Sequence, residues 1–170
     1  MILAACLLGW AARAAPVPAA PDAKAAYLTK FAPFVVWPAN AFAAPTAPLV
    51  LCIQGQDPFG ASMDQAVAGQ SVGAHPVIVR RIARIDPDSG CHIAYLAGSP
   101  TQSTDAALKV ADGRPVLTVT DSDSPGDGRG IVHLIQINGR LQFVIDAVRA
   151  GQSGLVISSK LLALASEVKR

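Results

Sequence analysis

The sequence contains little charge and no concentration of one sign. Only 15% of its 170 residues are Asp, Glu, Lys or Arg, and the formal net charge is +2. Proteins that bind nucleic acid or anionic membranes concentrate basic residues on one face, and no such concentration is present here. We therefore expect no nucleic acid partner. Hydrophobic residues make up 51% of the chain, which is enough for a sizeable core and excludes a disordered protein.

The sequence also lacks any apolar stretch of the roughly 20 residues that a membrane-spanning helix needs. Its first segment, MILAACLLGWAARAAPVPAA, is apolar but shorter, and it contains the A-x-A pattern Ala12-Arg13-Ala14. These features are typical of a secretory signal peptide. Residues 1–21 are therefore predicted to be a leader and residues 22–170 a single exported domain. The basic residues that open most leaders are missing, as expected if the true start codon lies further upstream.

Cysteine is scarce: the chain has Cys6, Cys52 and Cys91. Cys6 lies in the predicted leader, where Leu3-Ala4-Ala5-Cys6 resembles a lipobox and leaves a lipid anchor as an alternative to simple cleavage. Without the leader, Cys52 and Cys91 form an even pair in an oxidising compartment, which predicts a disulfide bond. Two buried free thiols are the alternative. Two thiols and scattered histidines lack the spacing of metal ligands, so we expect no metal and no cofactor.

Apolar runs bounded by Gly, Pro and Asp predict buried strands, and apolar residues at helical spacing between them predict helices. The predicted strands are 49–55, 77–82, 91–97, 115–120, 131–137 and 141–145. The predicted helices are 22–37, 58–68, 99–113 and 155–168. Asp22 and Thr104 are the expected N-caps of the first and third helices, and Pro33 is expected to kink or end the first.

The order of these elements predicts an α/β fold. We expect three layers, in which a mixed, mostly parallel sheet is flanked by helices and ends in an antiparallel C-terminal hairpin. Asn138-Gly139 predicts the type I′ turn of that hairpin, since both central residues of the turn have positive φ. Lys169 and Arg170 follow the last predicted helix, where they would suit its dipole.

Aromatic residues make up only 5% of the chain, yet several lie close together near the start of the predicted domain. They are Tyr27, Phe31, Phe34 and Trp37. One interpretation is that they pack against the sheet. The other is that part of the cluster is exposed and forms a partner or dimer surface.

No group of residues meets the requirements of a catalytic site. Gly55–Gly60 lies at a strand-to-helix turn, but it departs from the glycine pattern of phosphate-binding loops and contains Pro58. The loop 121–130 has three Asp but lacks the Glu that closes an EF-hand, so a solvated loop is expected. We predict that the protein is not an enzyme. A hydrolase that uses Ser158 or His133 is the weakest alternative.

Short stretches spread over residues 24–168 form a further pattern. They are Ala26-Tyr27-Leu28 to Phe31, Phe34-Val35, Trp37-Pro38, Leu51-Cys52, Gly55 to Gly60, Gly90-Cys91-His92, Pro115 to Val119, Gly130-Ile131-Val132 with Leu134, and Ile157 to Ala165. In this order and spacing they resemble the YfiR-like, or HmsC-like, family of periplasmic proteins.

The resemblance implies an α/β repressor that binds the periplasmic sensor domain of an inner-membrane GGDEF diguanylate cyclase. Repression would lower cyclic di-GMP and biofilm formation, and it would end when an outer-membrane lipoprotein titrates the repressor or when reduction misfolds it. The resemblance also implies that Cys52–Cys91 is the family's structural disulfide and that the protein forms a homodimer. Some members have a second cysteine pair in the C-terminal half, which this sequence lacks.

These expectations combine into one hypothesis. The disulfide keeps the sheet rigid, and the rigid sheet presents an apolar surface that binds a partner protein. The alternative is a periplasmic module that binds a small ligand. Its crevice would lie at the carboxyl end of the sheet, formed by the loops that follow the strands beginning at Leu49 and Pro115.

Overall fold

A computed structural model of the chain describes residues 20–170. The predicted leader, apart from its last two residues, and the predicted lipid-attachment residue Cys6 lie outside that range. The helices are α1 (Pro21–Phe31), α2 (Ala61–Val67), α3 (Thr104–Ala111), α4 (Ala147–Gln152) and α5 (Ser159–Leu164), with single 3-10 turns at Ala32–Phe34 and Ala39–Ala41. Within residues 20–170, no helix combines the length and apolarity needed to cross a bilayer.

The strands form one large sheet and one small ribbon. They are β1 (Val35–Val36), β2 (Leu49–Gly55), β3 (Ser71–Val72), β4 (His75–Ile82), β5 (Ile93–Gly98), β6 (Leu117–Asp121), β7 (Val132–Ile137), β8 (Arg140–Asp146), β9 (Val156–Ile157) and β10 (Glu167–Lys169). The sheet has eight strands in the order β10-β8-β7-β6-β5-β2-β4-β3, and β1 pairs separately with β9. Strands β4, β2, β5, β6 and β7 are parallel to one another. The predicted α/β architecture is confirmed.

Strand β2 lies at the centre of the sheet and is covered on both faces. Leu49, Leu51 and Ile53 face the layer that contains α1 and α2, and Val50 and Cys52 face the layer that contains α3. Successive side chains of a strand point to opposite faces, so a strand buried on both sides needs apolar residues at every position. This requirement explains the continuous apolar run in the sequence.

The chain reverses direction at the end of β7 through a two-residue turn. Asn138 and Gly139 have φ values of 51° and 74°. Ile137 of β7 is opposite Arg140 of β8 in an antiparallel pair. The predicted type I′ hairpin is confirmed, and it forms because Asn and Gly tolerate the positive φ that this turn demands.

The predicted closing helix 155–168 is wrong. The segment instead forms β9, α5 and β10, and Ser158 caps α5 by accepting a hydrogen bond from Leu161 N–H. Strand β10 pairs in parallel with β8, which places Lys169 3.2 Å from Asp146 rather than at a helix end. Strand β10 forms because its backbone can pair with the free N–H and C=O groups on the edge of β8. The spacing of apolar residues within the segment does not reveal such a distant partner.

Smaller corrections concern the helix ends. The first helix ends at Phe31, two residues before Pro33, as the proline predicts. Its N-cap is Ala20 rather than Asp22, which lies in the first turn. The N-cap of α3 is Ser103 rather than Thr104, and its hydroxyl accepts a hydrogen bond from Ala106 N–H. Helix α4 also forms where the sequence predicts only a connection.

A buried ion pair joins α1 to the end of β6. Lys24 Nζ lies 2.6 Å from Asp121 Oδ2 and 2.7 Å from Asp123 Oδ2, and the side chains of Lys24 and Asp121 are only 8% and 2% exposed. Tyr95 Oη donates to the same Asp121 oxygen. Burial alone would lower the pKa of Lys24, but the hydrogen bonds to both carboxylates outweigh it and raise that pKa above its ordinary value. The loop carboxylate Asp121 therefore has a structural partner.

We predict that Lys24→Met lowers the free energy of unfolding by about 3 kcal/mol, because it leaves Asp121 buried without a countercharge. Lys30 is exposed on the same helix, so Lys30→Met serves as the control and is expected to change stability by less than about 0.5 kcal/mol. Urea denaturation followed by circular dichroism measures both. Equal stabilities for the two variants would show that the ion pair contributes nothing.

Candidate functional site

A disulfide bond joins β2 to the residues that lead into its neighbour β5, in the interior of the sheet. Cys52 lies in the middle of β2, Cys91 lies just before β5, and their Cα atoms are 5.7 Å apart. The strands are parallel neighbours, with Cys52 in register with Ala94. Both sulfur-bearing residues are buried on the α3 side. The bond spans a sequence separation of 39 residues and closes a loop that contains α2, β3 and β4.

The histidine that follows the bridge holds the loop that precedes β2. His92 Nδ1 accepts a hydrogen bond from Val50 N–H at 3.1 Å, and Nε2, 3.0 Å from the Ala41 carbonyl, donates to it. The ring of Phe42 stacks on His92 with 4.3 Å between centroids and also on His75 with 3.8 Å. The hydrogen bond to Ala41 and the two stacked pairs of Phe42 thus hold a loop that has little regular structure of its own, and the hydrogen bond from Val50 anchors the His92 ring to β2.

The four aromatic residues predicted as a partner or dimer surface are divided between core and surface. Phe31 and Trp37 are buried. Phe31 makes an edge-to-face contact with an aromatic ring of β8, and Trp37 Nε1 donates to the His92 carbonyl at 3.2 Å. A surface made of all four side chains is therefore ruled out, because two of them pack into the core of their own chain. Tyr27 and Phe34 are half-buried against the same core and keep part of their surface exposed.

The apolar surface near these aromatic residues is formed by valines that the sequence reasoning missed. Val36 and Val156 are direct partners in the antiparallel β1–β9 ribbon and are 64% and 65% exposed. Their neighbours Val35 and Ile157 point to the opposite side and pack against the core. The period of two in Val35-Val36-Trp37, buried–exposed–buried, is the signal that could have identified Val36. We call Val36 and Val156 the valine pair.

The residues considered for catalysis make contacts that maintain the fold. Ser158 caps α5, as described above. His133 Nδ1 lies 2.9 Å from the hydroxyl of Thr120, within the sheet. Asp57, in the turn considered for phosphate binding, accepts a hydrogen bond from Phe59 N–H and pairs with Arg81 at 2.6 Å. The described residues contain no group of three or more His, Cys, Asp or Glu side chains that could hold a metal ion.

Comparison with protein-family models gives one match. The model described as YfiR/HmsC-like covers residues 21–166 of the chain. The matched range begins at α1 and ends before β10, so it includes the disulfide, the valine pair and the loop held by His92. No curated protein matches the chain.

We predict that Cys52→Ala with Cys91→Ala lowers the free energy of unfolding by about 4 kcal/mol, since the bridge restricts the unfolded chain through a loop of this length. Alanine is used because a buried serine hydroxyl would add its own penalty. Guanidinium denaturation should give the same midpoint for this variant with and without dithiothreitol, and the reduced wild type should match it. A wild type that is unaffected by reduction would contradict a stabilising bridge.

We predict that the protein loses stability as the pH falls from about 7 to about 5. Burial lowers the pKa of His92, and the charge of Arg80 acts in the same direction, so together they outweigh the hydrogen bond to the Ala41 carbonyl, which raises it. An unfolded histidine binds a proton below about pH 6.5, so the stabilising contribution is complete above that pH and is lost toward the folded pKa. The slope for one such group reaches at most about 1.4 kcal/mol per pH unit.

The control for this effect is His92→Asn, whose Oδ1 can still accept the hydrogen bond from Val50 but does not titrate. Urea denaturation across this pH range should show a smaller slope for His92→Asn than for the wild type. Burial also lowers the pKa of His133, which should account for part of the slope that remains. An identical slope in His92→Asn and the wild type would mean that His92 is not the titrating group.

Proposed function

Because the chain belongs to the YfiR/HmsC-like family, we propose that it binds the periplasmic domain of a membrane-bound GGDEF diguanylate cyclase and represses it. Membership in the family supports the general role, which is that of a periplasmic regulator of cyclic di-GMP signalling. Repression would lower cyclic di-GMP and biofilm formation. The chain acts in this proposal by binding and not by turnover.

The observation that carries the proposal is the exposed valine pair. Two β-branched side chains lie opposite each other on a short ribbon, and each exposes about two thirds of its surface. Singly exposed apolar residues are common, but an adjacent pair on a fixed backbone offers a continuous contact for a partner. Phe34 lies beside the ribbon, since its carbonyl accepts a hydrogen bond from Ser158 N–H at 2.9 Å. We place the partner surface at the valine pair, with Phe34 at its border, and keep Tyr27 as a further proposed contact because part of its surface is exposed.

The disulfide is connected to this surface through a short path. Cys91 precedes His92, whose carbonyl accepts the hydrogen bond of the Trp37 indole, and Trp37 follows Val36 directly. The Cys52–Cys91 bond thereby fixes the strand end that anchors the ribbon. Reduction of the bond is expected to loosen the Trp37 anchor and to weaken partner binding. The redox sensitivity of the chain would depend on this one bridge.

Two further partners belong to the proposal. A second copy of the chain would form a homodimer, and an outer-membrane lipoprotein would release the cyclase by competing for the repressor. We propose that the valine pair serves one of these contacts at a time. A partner that covers it would therefore displace another that uses the same surface.

We predict that Val36→Lys with Val156→Glu weakens binding to the cyclase domain by at least about tenfold. The two new side chains carry opposite charges across the ribbon, so the pairing of β1 with β9 is kept while the apolar surface is lost. Calorimetry would use the purified periplasmic domain of a membrane-bound GGDEF protein from the same organism. Cyclic di-GMP measured in cells that carry both proteins should rise with the double variant.

Ile78→Lys is the matched control, because Ile78 is a partly exposed apolar residue on β4, which belongs to the large sheet and not to the β1–β9 ribbon. It should bind like the wild type. Sedimentation of the same variants tests whether the valine pair also forms a homodimer contact. Wild-type affinity for Val36→Lys with Val156→Glu would exclude the valine pair as the cyclase-binding surface, and no binding by the wild type would refute the proposed function.

A further inference from the structure

The carboxyl ends of the central strands β2 and β5 border an open crevice of about 710 Å³. In the sheet, β2 has β4 as its neighbour on one side and β5 on the other. The chain runs from β2 through α2 to β4, and it runs from β5 to α3. Helices α2 and α3 pack on opposite faces of the sheet. This is a topological switch point, where α/β proteins bind ligands. The crevice lies at this point and is lined by Gly55, Ala83, Gly98, Thr104, Asp105 and Pro125, among others.

The walls of the crevice are fixed by a buried glutamine. Gln54 Nε2 donates to the carbonyls of Ala83 and Gln102, and Gln54 Oε1 accepts from Gly98 N–H at 3.1 Å. The strands also approach so closely at their ends that a Cβ on Gly55, whose φ is +87°, would lie 1.8 Å from the Gly98 carbonyl oxygen. The crevice is thus held open by contacts within its walls and is independent of the valine pair.

A buried hydroxyl without a partner lies in the wall of the crevice. Thr104 is 2% exposed, and among the described residues its Oγ1 is the one buried side-chain polar atom with no hydrogen-bond partner. It lies between two glycines of the crevice, since a Cβ on Gly98 would be 3.1 Å from Oγ1 and one on Gly126 would be 3.7 Å from the Thr104 Cβ. A buried hydroxyl group without a hydrogen-bond partner lowers the stability of the fold. A ligand atom that accepts a hydrogen bond from Thr104 Oγ1 would explain why this hydroxyl is there.

The donors around Thr104 define the chemistry of that ligand. Thr104 and Asp105 are the first residues of α3, an eight-residue helix, and their own amides have no acceptor within the helix, whereas Ala106 N–H is already bound by the Ser103 hydroxyl. The positive end of the helix dipole and these amides favour a negative group. Apolar side chains such as Ala83, Ala97 and Pro125 form much of the remaining wall. The Asp105 carboxylate at the rim offers an acceptor that a positive group on the ligand could use.

We propose that the crevice binds a small molecule that has a carboxylate attached to an apolar body. The carboxylate lies at the N-terminus of α3 and accepts a hydrogen bond from Thr104 Oγ1, and the apolar body lies against Ala83 and Ala97. Two sources share this chemistry, a simple carboxylic acid and an α-amino acid. The α-amino acid also has an ammonium group, which would lie near Asp105.

The test is calorimetric titration of the full exported chain with 3-phenylpropionate, phenylalanine and phenethylamine. Binding of either carboxylate, and much weaker binding of phenethylamine, is the expected result. Phenylalanine that binds more tightly than 3-phenylpropionate, with the advantage lost in Asp105→Asn, identifies an amino acid as the source. The reverse order identifies a simple carboxylic acid. Either order supports the proposal.

Thr104→Val is the decisive variant. It keeps the shape of the side chain and removes a hydroxyl that has no partner in the fold, so its stability should equal or exceed that of the wild type. Its affinity for the carboxylate should fall at least about tenfold. Ala83→Trp should abolish binding by filling the crevice from an exposed position, whereas Ala163→Trp, exposed on α5, should leave binding unchanged.

Three results would overturn the proposal. The first is that neither carboxylate binds to the wild type at millimolar concentration. The second is that phenethylamine binds as tightly as the carboxylates. The third is that Thr104→Val or Ala83→Trp binds like the wild type. Because no cyclase is present in these titrations, their failure leaves the proposed repression untouched, and failure of the repression assay leaves the crevice untouched.

Discussion

The covalent link between β2 and β5 is the constraint on which the remaining structure depends. These two strands are parallel neighbours in the interior of the sheet, and the chain leaves them in opposite directions toward β4 and toward β6. A bond between Cys52 and Cys91 fixes their register on the α3 face and limits how far the unfolded chain can separate them.

Buried polar side chains extend this constraint to both ends of the strand pair. At one end His92 binds both the backbone of Val50 and the loop before β2, and it positions Trp37 beside the valine pair. At the other end Gln54 connects β2 to the backbone that borders the crevice. The bridge thus lies between the two proposed binding surfaces, the valine pair and the crevice.

The sequence predicted the parts of the fold that depend on local chemistry. Continuous apolar runs identified the strands buried on both faces, and Asn138-Gly139 identified the hairpin, because each follows from a requirement of neighbouring residues. The predicted helix in the C-terminal segment was wrong because the structure of that segment depends on a distant partner. Its strand β10 forms because β8 offers a free edge, and a residue's long-range partners are not encoded in its own periodicity. The division of the aromatic cluster between core and surface was not predictable for the same reason, since Phe31 and Trp37 are as apolar as any exposed contact residue and only packing assigns them to the core.

Composition, cysteine count and the order of the elements were thus enough to predict the α/β class and the disulfide, and short sequence stretches in a fixed order carried the family resemblance. Tertiary structure alone decided which apolar residues are exposed, as Val36 and Val156 are, and which polar atoms are buried without a partner, as Thr104 Oγ1 is. The physical reason is that strand formation and bridging depend on residue type and spacing along the chain. Exposure and hydrogen-bond satisfaction depend on which distant segments come together, and these become known only when the chain is folded.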